Sequence, residues 1–393
     1  MSDNLEVSYV FYSKDFPNPL LREDGSLVRH EYEWDSQKAY LRRIAQEHMY
    51  GTWPHKPDRL EGQCLVSETV LSGKGIYEKH QLDVVYEGTL FEMEITIYRP
   101  ADEQKHPVII ANSFSNDEKY QNPYLPNLVN RGYALASFLM SDIVPDWALL
   151  KALNLSVDEN RMYPKLPCGT IMAWAWGHTV VADYIQHMKF TGPLIATGAS
   201  RGGKAALCAG IFDERFAVTA PTIAGCGGTG SARFCGTADG IRQDSTRSET
   251  IGRITHVFPD WFNEKYASYG QQEEPFAIGD EVNFFPLDAN VLRAMVAPRA
   301  VFSSDGEDDS WSNPFGTQLG WMAAQPVFEL LGVPDKNAFN MRPGVHGFDE
   351  RDWIAMLDFC DQVLFDMRGK AGESLNKPYF KDIDITKYAS WIR

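Results

Sequence analysis

Three residue types that could carry out acyl transfer lie in one order along this chain: a serine at 200, aspartates at 305, 308 and 309, and a histidine at 346. A serine hydroxyl is a poor nucleophile until a histidine takes its proton and a carboxylate orients that histidine. Ser200 sits in Gly198-Ala-Ser-Arg-Gly202, with the apolar Pro193–Ala196 before it and the small residues Ala205, Ala206, Ala209 and Gly210 after it. A G-x-S-x-G between a strand and a helix predicts a sharp turn with the serine at its apex. Gly198 and Gly202 keep side chains away from that turn, and the small residues let the helix lie close to a sheet. The helix N-terminus then offers N–H groups and a positive dipole end where an oxyanion would develop.

Asp309 follows a predicted strand that ends at Ser304, and His346 follows another at 339–341. Each candidate therefore falls at the carboxyl end of a strand, in the order serine, acid, histidine. Asp309 is the expected acid, with Asp308 or Asp305 as alternatives, and His346, between Gly344 and Gly347, is the expected general base. His178 and His187 fall on a predicted helix and read as packing or surface residues.

Strands and helices must alternate to hold these groups. An alternating stretch over 79–98 predicts an antiparallel hairpin that turns at Glu87-Gly88. From Pro107 the pattern changes to continuous apolar runs, at 107–111, 133–138 and 217–221, expected of strands buried on both faces. Helices are expected over 122–131, 169–190, 316–331 and 352–368, and another, earlier, over 36–50. Such alternation predicts an α/β fold with a mostly parallel central sheet covered by helices on both faces, the α/β-hydrolase arrangement. Residues 1–78 read as an N-terminal extension packed on a hydrolase domain of 79–393. Within that domain, 225–287 breaks the alternation and reads as an inserted lid or cap.

The chain has 393 residues, 44% hydrophobic and 23% charged, within the range of a globular protein. A formal net charge of −16 argues against nucleic acid or an anionic membrane surface as partner. No apolar run reaches membrane-spanning length. The start of the chain lacks a basic, apolar leader, so a cytoplasmic location is the expectation, with secretion if a signal was removed. The six cysteines show no metal spacing; Cys226 and Cys235 are the pair to examine for a disulfide. No metal or organic cofactor is expected, and the expected partner is a small-molecule or oligosaccharide ester.

Gly198-Ala-Ser-Arg-Gly-Gly-Lys204, followed by Asp213-Glu-Arg215, resembles the elbow of glucuronoyl esterases, the carbohydrate esterase family 15 group. Gly225-Cys-Gly-Gly228, Trp261-Phe262, Ala297-Pro-Arg299, 309–314 and Pro343-Gly-Val-His346 extend the resemblance over roughly 85–365. It implies a serine esterase for uronic acid esters in which Arg201 holds the oxyanion and Lys204 contacts sugar hydroxyls. Trp311 and Glu249 take the places of the sugar-binding tryptophan and glutamate. Two departures stand out. Ala199 replaces a usual cysteine, and Ile223 stands where many members carry the triad glutamate, which points the search for the acid to Asp309. A second oxyanion donor is expected near Ser113-Phe114, and Arg233, Arg242 or Arg253 could hold a carboxylate or simply be solvated loop charges. A generic esterase or acyl-peptide hydrolase, or a catalytically silent carbohydrate-binding protein, would be built on the same scaffold.

Overall fold

A computed structural model describes residues 14–113, 123–153, 156, 161–237, 240–241, 248–270, 278–367 and 375–392. Nine strands form its main sheet: β1 (Arg59–Val70), β2 (Gly75–Tyr86), β3 (Thr89–Pro100), β4 (His106–Ser113), β5 (Ala134–Leu139), β6 (Thr191–Ala199), β7 (Phe216–Thr222), β8 (Ala300–Gly306) and β9 (Asn337–Arg342). Their spatial order is β1-β2-β3-β5-β4-β6-β7-β8-β9. The first three strands and the β3–β5 pair are antiparallel, and every pair from β5 through β4 to β9 is parallel.

The hairpin between β2 and β3 turns at Glu87 and Gly88, both at positive φ (48° and 75°), the geometry of a tight primed turn. β2 and β3 alternate between buried and more open positions, whereas β4 to β9 are buried almost throughout. That contrast is the change of hydrophobic period visible in the sequence. β1 is different. Arg59–Val70 lies inside the segment assigned to an N-terminal extension, yet it pairs with β2 as the edge of the sheet. Its side chains are mostly exposed, so it carries no alternation to reveal it.

The helices used below are α1 (Trp34–Ala45), α2 (Leu125–Asn130), α3 (Trp147–Ala152), α4 (Thr170–Ile185), α5 (Arg201–Phe212), α6 (Ile251–Val257), α7 (Ala289–Ala294), α8 (Pro314–Leu330) and α9 (Glu350–Phe365). One face of the sheet packs against α1, α4, α5, α7 and part of α8. The other packs against α2 and α9. α4 is buried on nearly every side, which fits its aromatic, almost charge-free sequence. α1 docks the N-terminal segment through Lys38 and Arg42, which both pair with Glu214 at the far end of α5. Among the described residues of the region expected to be a lid, Phe262, Tyr266 and Phe285 are buried in the main core.

Candidate active site

Ser200 occupies the turn between β6 and α5 with φ 56° and ψ −124°, a conformation a non-glycine residue adopts only under constraint. The glycines around it are required by what lies against them. A Cβ on Gly198 would overlap the Gly202 carbonyl, and a Cβ on Gly202 would overlap the Asn112 side-chain amide. A Cβ on Gly203 would lie 2.7 Å from the Thr222 carbonyl oxygen. Asn112, at the end of β4, braces the turn by donating from Nδ2 to the Gly202 carbonyl at 2.8 Å. Nothing in the local sequence pointed to Asn112, since its partner is 90 residues away.

The far end of α5 is equally well tied. Asp213 accepts from Thr179 Oγ1 at 2.9 Å and from the Arg215 backbone and side chain. Arg299 donates to the carbonyl of Gly210, in the last turn of α5, at 2.6 Å and to that of Phe216, at the start of β7, at 3.0 Å. The Asp-Glu-Arg and Ala-Pro-Arg segments of the sequence thus act on the scaffold, away from the serine.

β7, β8 and β9 bring the other candidates to the same edge of the sheet as Ser200. The Ser200 N–H donates to Thr222 at the end of β7, and the Ile223 N–H donates to Ser304 in β8. His346 Nδ1 lies 2.7 Å from Asp309 Oδ2 and 3.1 Å from Ser312 Oγ. With Nδ1–H donated to the Asp309 carboxylate, Nε2 carries the lone pair, the tautomer that a general base requires. Asp309 is buried, and it also accepts from the Ser312 N–H at 3.1 Å. Burial alone would raise its carboxyl, but the hydrogen bond and charge of His346, with the Ser312 contacts, bring it below the usual aspartate range.

The alternative acids separate cleanly. Asp308 is exposed. Asp305 is fully buried, and among the described residues neither carboxyl oxygen has a hydrogen-bond partner. Burial, reinforced by the charges of Asp309 and Asp352, pushes its carboxyl well above the usual range. Ile223 is buried at the end of β7 with φ 42°, a strained conformation for a β-branched residue. Its carbonyl accepts from Ser312 Oγ at 3.0 Å, so Ser312 joins the Ile223 turn to His346.

Beside the serine, Lys204 Nζ donates to Glu249 Oε2 and to the Ala224 carbonyl, both at 2.6 Å. The pair is almost wholly buried, with side-chain exposures of 1% and 3%. Burial raises the Glu249 carboxyl above its usual range and Lys204 opposes that shift. Gly225, at φ 58°, leaves room for Glu249, because a Cβ there would overlap Oε2. The Glu249 N–H donates to the Trp311 carbonyl at 3.0 Å, and the half-buried Trp311 ring carries the Arg253 guanidinium 5.3 Å from its centroid. Arg201 lies 4.8 and 5.0 Å from the ring centroids of Trp261 and Phe258, and its Nη1 is ion-paired with Asp146.

The remaining candidates fall elsewhere. Arg233 is buried against Asp288 at 3.1 Å and donates to the Leu287 carbonyl, so it serves the packing of the insert. Arg242 and Phe114 lie outside the described residues. Ser113 is buried at the end of β4, where a cavity of about 600 Å³ opens between Asn112, Tyr124, Ala199, Phe348 and Trp353. His178 is wedged between the carbonyls of Trp174 and Thr197, and burial pushes it down to about 4. His187 is exposed. Cys226 and Cys235 are both free thiols, turned toward Tyr266 and Asn313 respectively. Cys208 and Cys360 are buried, and Cys64 is exposed on β1. Among the described residues no group of three or more His, Cys, Asp or Glu could hold a metal, and no helix is long and apolar enough to cross a membrane.

A mostly parallel sheet with a serine at the β6–α5 turn defines an α/β-hydrolase of the serine carboxylic ester hydrolase class. The model of fungal glucuronyl esterases matches residues 82–332, and the chain belongs to the glucuronoyl esterase family. It is 27% identical to 4-O-methyl-glucuronoyl methylesterase 1 of Wolfiporia cocos, over 97% of this chain and 88% of that protein. A 4-O-methyl-glucuronoyl methylesterase of Schizophyllum commune is 26% identical, over 95% and 87%. Among solved structures, the family 15 glucuronoyl esterase of Caldicellulosiruptor kristjansonii superposes with a TM-score of 0.74 at 27% identity, covering 98% of both chains.

Proposed function

We propose that this protein hydrolyses carboxylic esters of glucuronic acid and its 4-O-methyl ether, with Ser200, His346 and Asp309 as the catalytic triad. The observation that carries the assignment is the 2.7 Å hydrogen bond between His346 Nδ1 and the buried Asp309, at the sheet edge that also holds the strained Ser200 turn. His346 Nε2 takes the Ser200 proton as Oγ attacks the ester carbonyl. The tetrahedral oxyanion forms at the N-terminus of α5, beside the Arg201 guanidinium, where positive charge stabilises it. Collapse expels the alcohol, which takes its proton from His346. Water, activated by the same histidine, then releases the free uronate from Ser200.

On the sugar side, the buried Lys204–Glu249 pair and the Trp311 ring are the groups that would meet the pyranose. A lysine and a carboxylate held 2.6 Å apart offer a donor and an acceptor to neighbouring ring hydroxyls, and an indole face suits the apolar face of a pyranose. The names of the fungal relatives support the same substrate class.

The test is a panel of methyl glucuronate, simple acetyl esters and aminoacyl esters, assayed with the wild type, Ser200→Ala and His346→Ala. The expected result is a clear preference for the glucuronate ester, lost about 10⁴-fold or more in either variant. Comparable rates on acetyl esters would remove the uronate assignment, and an active Ser200→Ala would remove the serine mechanism.

A further inference from the structure

Arg201 is gripped from outside its own helix. Its guanidinium lies against Trp261 and Phe258, two rings stacked 4.0 Å apart, and Nη1 meets Asp146 Oδ2. Asp146 stands in the connection between β5 and α4, 55 residues before its partner. Its side chain is 11% exposed and that of Arg201 17%, so the pair is largely shielded from solvent. The two carboxylate oxygens divide their work. Oδ1 accepts from the Leu149 N–H at 3.2 Å and caps α3, while Oδ2 holds the arginine. The connection is itself fastened to the body, since Asp142 pairs with Arg161 and accepts from the Glu94 N–H.

An arginine side chain has many rotamers, and a donor stabilises an oxyanion only if it is already in place when the charge develops. A carboxylate beside it also withdraws positive potential from the same spot, so the pairing is useful only through geometry. We propose that Asp146 is a positioning residue of the reaction: it fixes the Arg201 guanidinium beside Ser200 without itself touching the substrate. This rests on the reading of Arg201 as an oxyanion donor.

The experiment measures kcat and KM on methyl glucuronate for Asp146→Ala, Asp146→Asn, Arg201→Ala and the double variant Asp146→Ala/Arg201→Ala. Asparagine keeps an Oδ1 acceptor for the Leu149 N–H but loses the ion pair, so a role limited to capping α3 predicts full rescue by Asp146→Asn. Positioning predicts that kcat falls about tenfold or more in both Asp146 variants, with KM changed less than threefold. It also predicts that the double variant is no slower than Arg201→Ala. Wild-type kcat in Asp146→Asn, or losses that multiply in the double variant, would overturn the proposal. A slow Arg201→Ala beside an unaffected Asp146→Ala would remove this proposal alone. Wild-type kcat in Arg201→Ala would remove the oxyanion reading and the proposal with it.

Discussion

The turns that follow β7 and β8 lie side by side at the same edge of the sheet, and they are built on opposite plans. The β7 turn offers an apolar side chain and backbone carbonyls: Ile223 is buried, its carbonyl receives Ser312 Oγ, and the Ala224 carbonyl receives Lys204 Nζ. The end of β8 and the turn after it offer aspartates at 305, 308 and 309, one buried and without a hydrogen-bond partner among the described residues, one exposed and one bonded to His346. The resemblance allows the acid after β7, as in many members, or after the later strand. In this chain the β7 turn supplies only scaffold, and the charge that orients the histidine comes from the next strand. Ser312 joins the two turns, with its Oγ on the Ile223 carbonyl and 3.1 Å from His346 Nδ1.

The comparison breaks most sharply at Asp309. Asp309→Asn keeps the size of the side chain but can no longer fix the Nδ1–H tautomer, and kcat should fall about 10³- to 10⁴-fold. Installing the missing carboxylate on the other turn sharpens the argument. In the Asp309→Asn background, Ile223→Glu should recover about tenfold of the lost kcat, because Ser312 already bridges that turn to His346. No recovery would mean that the β7 turn cannot reach the histidine.

The Lys204–Glu249 pair gives the next largest effect, this time on stability. Lys204→Met leaves a buried, uncompensated Glu249, at a cost of about 3–5 kcal/mol in chemical denaturation. Lys204→Met/Glu249→Gln should recover most of that loss, since breaking one side of a buried pair costs more than replacing both.

The smallest effect is expected at Asp305, and its sign is the informative part. Its folded-state carboxyl is raised by burial and by Asp309 and Asp352, so the native state holds a proton that the unfolded chain gives up near the usual aspartate range. Asp305 therefore lowers stability progressively as pH rises above that range. Asp305→Asn should match the wild type near pH 4 and be as stable or more stable at pH 8, by about 1–2 kcal/mol. A lower melting temperature for Asp305→Asn at pH 8 would show an ionised, partnered carboxylate.

How much of this was legible follows from where the information lies. The parallel strands and α5 announced themselves because each is buried on nearly all sides, and burial writes continuous apolar or small-residue runs. Ser200, Asp309 and His346 were legible because each follows such a run. β1 was not, since an exposed edge strand has no pattern to impose on Arg59–Val70. Asp146 and Asn112 were not legible either. The contact that ties each to the serine turn spans 55 or 90 residues, and nothing in the neighbouring sequence records it. Arg233 shows the opposite failure: an arginine in a glycine-rich insert looks available for an anion until Asp288 is seen against it.

The most direct test of the account is hydrolysis of a benzyl glucuronate ester by the wild type, Asp308→Ala and Asp309→Ala, measured in parallel as kcat/KM. The account predicts robust turnover by the wild type, near-wild-type turnover by Asp308→Ala and a loss of about 10³-fold or more in Asp309→Ala. Turnover retained in Asp309→Ala would contradict it, and would return the search for the acid to the rest of the sheet edge.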